Sequence, residues 1–181
     1  MSKIVVAPVE VLGKRSKEFD FAKNKKNLSG LLKEMKEALL SASDPKGVGL
    51  AAPQIGKSVA IFMSKPTDKS PISVFINTVV LEADELEKKK KKRVKKLEGC
   101  LSLPNIWGEV LRSPSVKISY FDKDGKVIIK KFTGFMATII QHETDHLNGI
   151  LFPKHVLEQK GKLYKSYKNE KNEDEFEELQ I

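Results

Sequence analysis

The chain has 181 residues, of which 40% are hydrophobic and 31% are charged, and its formal net charge is +9. This length suits one domain, and the composition excludes collagen, low-complexity disorder and a disulfide-stapled miniprotein. No run approaches the roughly 18 apolar residues of a membrane span, so we expect no membrane partner, and the single cysteine, Cys100, favours a reducing compartment. We predict one domain over residues 1–168 and an acidic tail over 169–181 that frays or forms a short surface helix.

The first predicted element is an amphipathic helix that begins at Asn27 or Ser29. Its apolar side chains recur every three or four residues, which indicates that one face is buried. These side chains are Leu28, Leu31, Leu32, Met35, Leu39 and Leu40. The turn-forming residues at 43–45, followed by Gly47, end the helix.

A glycine-containing segment, G-V-G-L-A-A-P-Q at 47–54, follows this helix. Its continuation resembles the end of a phosphate-binding loop, but Ala51 stands where that loop requires glycine, which excludes it. The bare backbone at Gly47 and Gly49 can instead pair with an extended peptide, and Gln54 supplies a side-chain amide donor. The alternative is an ordinary turn after a helix.

Short β-like runs occupy the middle of the chain, at 59–63, 72–77, 110–112, 116–121 and 126–132, with a hairpin turn at Asp124-Gly125. Eight of the 33 basic residues lie within 88–96, and without them the acidic and basic residues nearly balance. We predict a lysine-rich hairpin or loop at 86–97. Such a run is typical of a solvated surface, and it can also attract the phosphate backbone of RNA.

A second helix is predicted at 135–148, with Gly149 as its C-terminal stop. It contains the pattern H-E-x-x-H, and His142 and His146 lie one turn apart on one face, where they can bind one metal ion. Glu143 is adjacent and can contact water at such an ion without binding it. The helix is apolar nearly all round, which indicates burial. Hydrogen-bonded core histidines are the alternative interpretation.

A catalytic metal site usually has three protein ligands, so a third is needed. His155 lies downstream of the helix stop and has the position of a surface histidine. Cys100, in E-G-C-L-S at 98–102, is the other candidate, although a lone cysteine is by default a small buried apolar residue. Spacing alone leaves this choice open.

Three segments in this order resemble the signature motifs of the peptide deformylase family: 47–54, 98–102, and Q-H-E-T-D-H-L at 141–147. The resemblance supports an α+β fold of mainly antiparallel short sheets packed around a buried helix that carries the H-E-x-x-H motif. It implies a metal-dependent hydrolase that removes the N-formyl group from the initiator methionine of nascent polypeptides and releases formate. The implied compartment is the bacterial cytoplasm or an organellar matrix.

The resemblance also implies a role for each matching residue. Glu143 acts as general base and then as general acid, while the Gln54 side chain and the Leu101 backbone N–H stabilise the oxyanion. Cys100, His142 and His146 bind one divalent metal ion, with Fe²⁺ favoured and Zn²⁺, Ni²⁺ or Co²⁺ as alternatives. The substrate-binding residues are Gly47, Val48, Gly49, Phe135, Thr138 and Ile139, and the residues that support the histidines are Glu98, Arg112 and Asp145.

Two departures from the family pattern affect substrate affinity. After Pro104, several relatives have an arginine, whereas this chain has Asn105, Ile106 and Trp107. The lysine-rich segment predicts contact with ribosomes, and Lys96 is placed near one rim of the pocket. Two alternatives are a metalloprotease that shares the helix and an RNA- or ribosome-binding protein with a relict metal site. No pattern predicts the oligomeric state.

Overall fold

The computed structural model describes residues 3–42, 46–84, 96–171 and 173–180. Most of the lysine-rich hairpin or loop predicted at 86–97 lies outside the described residues; its last two residues belong to a strand. The α-helices are α1 (Phe21–Ser41), α2 (Gly134–Leu147) and α3 (Phe152–Glu158). The strands are β1 (Gly49–Ala51), β2 (Ile61–Ser64), β3 (Ser73–Ala83), β4 (Lys96–Cys100), β5 (Leu103–Val110), β6 (Ser115–Phe121), β7 (Val127–Thr133), β8 (Leu163–Lys168) and β9 (Asp174–Leu179).

The strands form two sheets, one ordered β1-β2-β3-β6-β7 and the other β4-β5-β8-β9. Every pairing within them is antiparallel. Helix α2 packs its buried face, which includes Ala137 and Ile140, against Phe62 and Phe75 of the first sheet. The predicted α+β fold with a buried helix is therefore confirmed. Within the part of the chain that is described, no helix combines the length and apolar character needed to cross a bilayer.

Helix α1 begins earlier than predicted. Asp20 is its N-cap, because the Asp20 carboxylate accepts hydrogen bonds from the backbone N–H groups of Ala22 and Lys23. The prediction at Asn27 or Ser29 followed the apolar repeat, which does not extend into the lysine-rich first turns. The buried face includes Leu28, Met35 and Leu39 as expected, but Leu40 is exposed because it lies beside that face rather than on it.

The predicted strands 59–63, 72–77, 116–121 and 126–132 overlap β2, β3, β6 and β7, and the predicted hairpin joins β6 to β7. The prediction of a strand at 110–112 is wrong beyond Val110, because β5 ends at that residue and the chain leaves the sheet.

The acidic segment 169–181 does not fray or form a helix between Asp174 and Leu179, where it forms β9 on the edge of the second sheet. Oppositely charged side chains on β8 and β9 meet across this pairing, as in the salt bridge of 2.8 Å between Lys168 Nζ and Asp174 Oδ1. Such cross-strand pairs stabilise a hairpin.

Helix α2 is placed so that it faces both sheets. It ends near the predicted residue, and Gly149 follows with φ +71°, a conformation that favours glycine. A Cβ on Gly149 would approach the backbone of Gly13 and Lys14 to 2.7 Å, so this turn also packs closely on the N-terminal segment. Strand β4, an edge of the second sheet, runs beside the H-E-x-x-H face of α2.

Candidate metal centre

Three side chains that can ligate a metal ion converge between β4 and α2. One potential ligand atom from each of Cys100, His142 and His146 lies within 4.8 Å of the other two. Cys100 Sγ is 3.2 Å from His146 Nε2. The three side chains are largely buried. A thiolate and two imidazoles are ligands typical of a divalent transition metal ion.

The chemistry of this cluster fits a metal ion. Burial lowers the pKa of His146 well below its usual value, which favours the neutral imidazole that metal binding requires. His142 Nδ1 is 2.6 Å from Glu98 Oε1, so Nε2 is the ring nitrogen left for a metal ion. A carboxylate on the second ring nitrogen fixes the orientation of a ligating histidine.

Glu98, Arg112 and Asp145 form a charged network behind the histidines. Arg112 donates to both carboxylate oxygens of Glu98, at 3.0 and 2.6 Å, and to Asp145 Oδ2 at 2.6 Å. Burial raises the pKa of Glu98, but hydrogen bonds from His142 and Arg112 outweigh it and hold the pKa at about 2. Glu98 is therefore an anion, and the network links β4 to two turns of α2.

The network extends to a histidine that the sequence analysis placed on the surface. His155, in α3, is only 23% exposed, and its Nε2 lies 2.8 Å from Asp145 Oδ2. It is thus a partner of Asp145 and not a member of the Cys100 cluster. No sequence pattern signalled this contact, because it depends on how α3 folds back after α2.

Glu143 is buried beside the cluster. Its Oε2 has no hydrogen-bond partner among the residues described, and burial raises its pKa to about 7. A buried carboxylate oxygen without a partner is costly, and it suits a group that exchanges protons with a substrate or water. The backbone of Gly49 lies against this carboxylate, since a Cβ there would stand 2.2 Å from Glu143 Oε1.

The Gln54 side chain has a fixed orientation in the site. Its Oε1 accepts a hydrogen bond of 2.8 Å from Ala51 N–H. Its Nε2 therefore faces Ser102 Oγ at 3.3 Å and Cys100 Sγ at 3.6 Å. Gln54 consequently presents an N–H donor beside the potential metal ligands, although the 3-10 turn that holds it, Ala52–Ile55, is itself buried.

A cavity of about 680 Å³ opens over these groups. Its wall includes Leu101, Glu143 and Gln54. Of the predicted metal ligands and supporting residues, it includes Cys100, His142, Glu98 and Arg112 but not His146 or Asp145. Phe135 is 52% exposed and stands at the mouth. The predicted substrate residues on this wall are Gly47, Val48, Gly49, Phe135, Thr138 and Ile139. The wall also includes Trp107 and Lys96, which belong to the two segments that depart from the family pattern.

Comparison with known proteins gives consistent matches. The sequence model of the polypeptide deformylase family matches residues 1–162. The peptide deformylase of Borreliella burgdorferi is 33% identical over 172 residues, which cover 93% of this chain and 96% of that protein. The corresponding protein of Mesorhizobium japonicum is 41% identical over 127 residues, or 68% of this chain and 69% of that protein. The crystal structure of peptide deformylase from Thermotoga maritima aligns with a TM-score of 0.74 and 34% identity, and covers 86% of this chain and 97% of that one.

Proposed function

The chain belongs to the peptide deformylase family, and on this premise we propose that it removes the N-formyl group from the initiator methionine of nascent polypeptides at the Cys100–His142–His146 cluster. The observation that carries the proposal is the convergence of these three ligand atoms within 4.8 Å of one another, beside a cavity whose wall includes Cys100, His142 and Glu143. When bound there, a divalent ion supplies Lewis acidity toward the formyl carbonyl and activates a water molecule.

Glu143 is the proton carrier of the proposed reaction. Its Oε2, which no described residue hydrogen-bonds, takes a proton from the attacking water and later delivers it to the departing amine. Since its pKa is raised to about 7, the carboxyl group can both accept and donate a proton near neutral pH. Formate and a free N-terminal methionine are the products.

Gln54 and Leu101 are the proposed donors to the formyl oxygen as negative charge develops on it. The Ala51 N–H holds the Gln54 amide so that Nε2 faces the site, which means that the donor is oriented before the substrate arrives. Leu101 directly follows Cys100 and lines the cavity. Removal of one such donor typically slows a reaction by about a hundredfold to a thousandfold.

The substrate backbone is proposed to lie between two strand edges. β1 is an edge of the first sheet and β4 is an edge of the second, and residues of both line the cavity. An extended peptide can form backbone hydrogen bonds with such an edge, while its side chains enter pockets. Val48, Thr138 and Ile139 then surround the methionine side chain of the substrate.

The identity of the metal ion and the cellular partners rest on the family resemblance. We expect Fe²⁺ as the native ion in the bacterial or organellar compartment, with Zn²⁺, Ni²⁺ or Co²⁺ able to bind the same two imidazoles and thiolate. Ribosome contact through the lysine-rich segment remains a prediction, because most of that segment lies outside the described residues. The metalloprotease and the relict RNA-binding protein are not favoured by the comparisons.

Formate release tests this proposal. The protein, purified without oxygen so that a ferrous ion is retained, is incubated with a formyl-Met-Ala peptide and with an acetyl-Met-Ala peptide as control. We expect formate from the first peptide and no hydrolysis of the second. Cleavage of internal amide bonds in an unformylated peptide, without formate release, would instead identify a metalloprotease.

A further inference from the structure

Trp107 forms part of the cavity wall beside the ligand strand. It lies opposite Gly99 in the pairing of β4 with β5, and Gly99 directly precedes Cys100. The indole ring covers the Gly99 backbone so closely that a Cβ on Gly99 would stand 2.9 Å from ring carbons of Trp107. Both residues line the cavity. The position of this indole therefore sets the shape of the wall along β4.

The indole also contacts two residues of the C-terminal hairpin, which β8 and β9 form. Trp107 Nε1 donates a hydrogen bond of 3.1 Å to Ser166 Oγ in β8. The ring of Phe176 in β9 meets the indole edge to face, with centroids 5.8 Å apart and an interplanar angle of 85°. Ser166 and Phe176 are register partners, so both side chains lie on the same face of the sheet.

The hairpin follows the part of the chain that the family model matches. That match ends at residue 162, and β8 begins at Leu163. Phe176 is 43% exposed, although it is a large aromatic side chain in a mostly acidic strand. Among the described aromatic residues, the Phe176 ring packs against the indole of Trp107. Phe176 therefore packs against the indole of Trp107 and is not buried in a hydrophobic core.

We propose that the C-terminal hairpin is a positioning element of the substrate site, in which Phe176 and Ser166 hold Trp107 against β4 and so fix the wall that the bound peptide contacts. This inference rests on the proposed function, since it assigns the wall to the residues that follow formyl-methionine in the substrate. Trp107 is placed to contact the peptide, whereas Phe176 and Ser166 act through Trp107. The hairpin affects substrate affinity and leaves the chemical step at Glu143 unchanged.

The single tryptophan of the chain makes this arrangement directly observable. Intrinsic fluorescence reports the environment of Trp107 alone. We expect the Phe176→Ala variant to have red-shifted emission and to be quenched more strongly by acrylamide, because one face of the indole loses its cover. Ser166→Ala removes the hydrogen bond to Nε1 and is expected to cause a smaller change in the same direction.

Steady-state kinetics with the formyl-Met-Ala peptide provide the second measurement. We expect Phe176→Ala to raise KM by about threefold to tenfold with kcat nearly unchanged, as expected when one aromatic contact that supports binding is lost. Phe176→Tyr retains the edge-to-face contact and should restore both the emission and KM. Tyr167→Ala is the matched control, because Tyr167 is an equally exposed aromatic of the same hairpin that bonds Glu175 instead.

The outcomes separate this inference from the proposed function. Formate release by the wild-type protein, together with Phe176→Ala emission and KM equal to those of Tyr167→Ala, would overturn the role of the hairpin and leave the enzyme assignment intact. A fall in kcat at unchanged KM would also contradict it. Absence of formate release by the wild-type protein contradicts the proposed function itself, whereas the fluorescence result still tests the contact.

Discussion

Among the single residues of the site, the proposed reaction depends most on the buried carboxyl group of Glu143. Its Oε2 lacks a protein partner among the described side chains, and its pKa is raised to about 7. Replacement by glutamine keeps the size of the side chain and removes its capacity to carry a proton. Every other residue of the site can then remain in place.

We expect Glu143→Gln to lower kcat for formate release by about 10²-fold to 10⁴-fold, which is the usual contribution of a positioned acid–base group. The measurement is formate released by wild type and variant at equal metal content. Glu37→Gln, which changes an exposed glutamate of α1, serves as control and should retain full activity. Full activity of Glu143→Gln would show that another group carries the proton.

Gly49 also affects the proposed reaction, because its backbone lies close to the Glu143 carboxylate. A methyl group there would lie 2.2 Å from Glu143 Oε1, so the carboxylate must move. Because a displacement of about 1 Å in a catalytic group can cost 10²-fold in rate, we expect Gly49→Ala to lower kcat by at least roughly tenfold. Gly30→Ala, whose added methyl has no atom within 4 Å, is the control. Circular dichroism checks that both variants fold.

The sequence predicted the metal ligands in part by chemistry and in part by resemblance. The helical spacing brings His142 and His146 together without further information. Spacing left the choice between Cys100 and His155 open, and the resemblance to the family selected Cys100. The contact between Trp107 and Phe176 was beyond prediction, since it joins β5 and β9, which are distant in sequence and are separated by β8 in the sheet.

At the scale of secondary-structure elements, the site depends on how β4 is joined to α2. Besides the direct contact of Glu98 with His142, Arg112, which lies just beyond β5, connects them by binding Glu98 of β4 and Asp145 of α2. Its side chain is 9% exposed. Removal of one partner from a buried charge network leaves the remaining charges without compensation.

Arg112→Met is therefore expected to lower the free energy of unfolding by about 3–5 kcal/mol, the usual cost of breaking a buried ion pair. Urea unfolding followed by circular dichroism measures this change. Lys117→Met breaks a salt bridge to Glu82 whose side chains are 38% and 66% exposed, and it should change stability by less than about 1 kcal/mol. Equal effects of the two substitutions would contradict the structural importance of the network.

The hydrophobic pattern of the sequence predicted some helices and strands and missed others. Helix α2 and strands β6 and β7 were evident, because a helical repeat and a hairpin turn are local signals. Strand β4 contains charged residues and a glycine, and β9 is mostly acidic, so neither has the alternating apolar pattern of a strand. They form because β5 and β8 offer them partners, which is information that no short window contains.

At the scale of the whole molecule, the proposed metal ion joins parts of the fold that are distant in sequence. Its ligands come from β4 in the second sheet and from α2, which packs on the first sheet. A ligand that binds the folded chain alone stabilises it. The ion should therefore contribute to global stability as well as to catalysis.

We expect removal of the ion with a chelator to abolish formate release and to lower Tm, and addition of Fe²⁺, Co²⁺ or Ni²⁺ to restore both. Differential scanning calorimetry and the formate assay on one preparation measure the two effects. The Glu143→Gln variant should show the same shift in Tm, since Glu143 is not a ligand. An unchanged Tm at complete metal loss would contradict a site that joins β4 to α2.

The proposed ligands of the ion are one thiolate and two imidazoles. X-ray absorption spectroscopy at the metal edge can identify them, because sulfur and nitrogen neighbours scatter differently and lie at different distances, about 2.3 and 2.1 Å for a zinc-loaded site. We predict one sulfur and two imidazole nitrogens in the wild-type protein, and loss of the sulfur signal in Cys100→Ser. A first coordination sphere without sulfur in the wild-type protein would contradict this prediction.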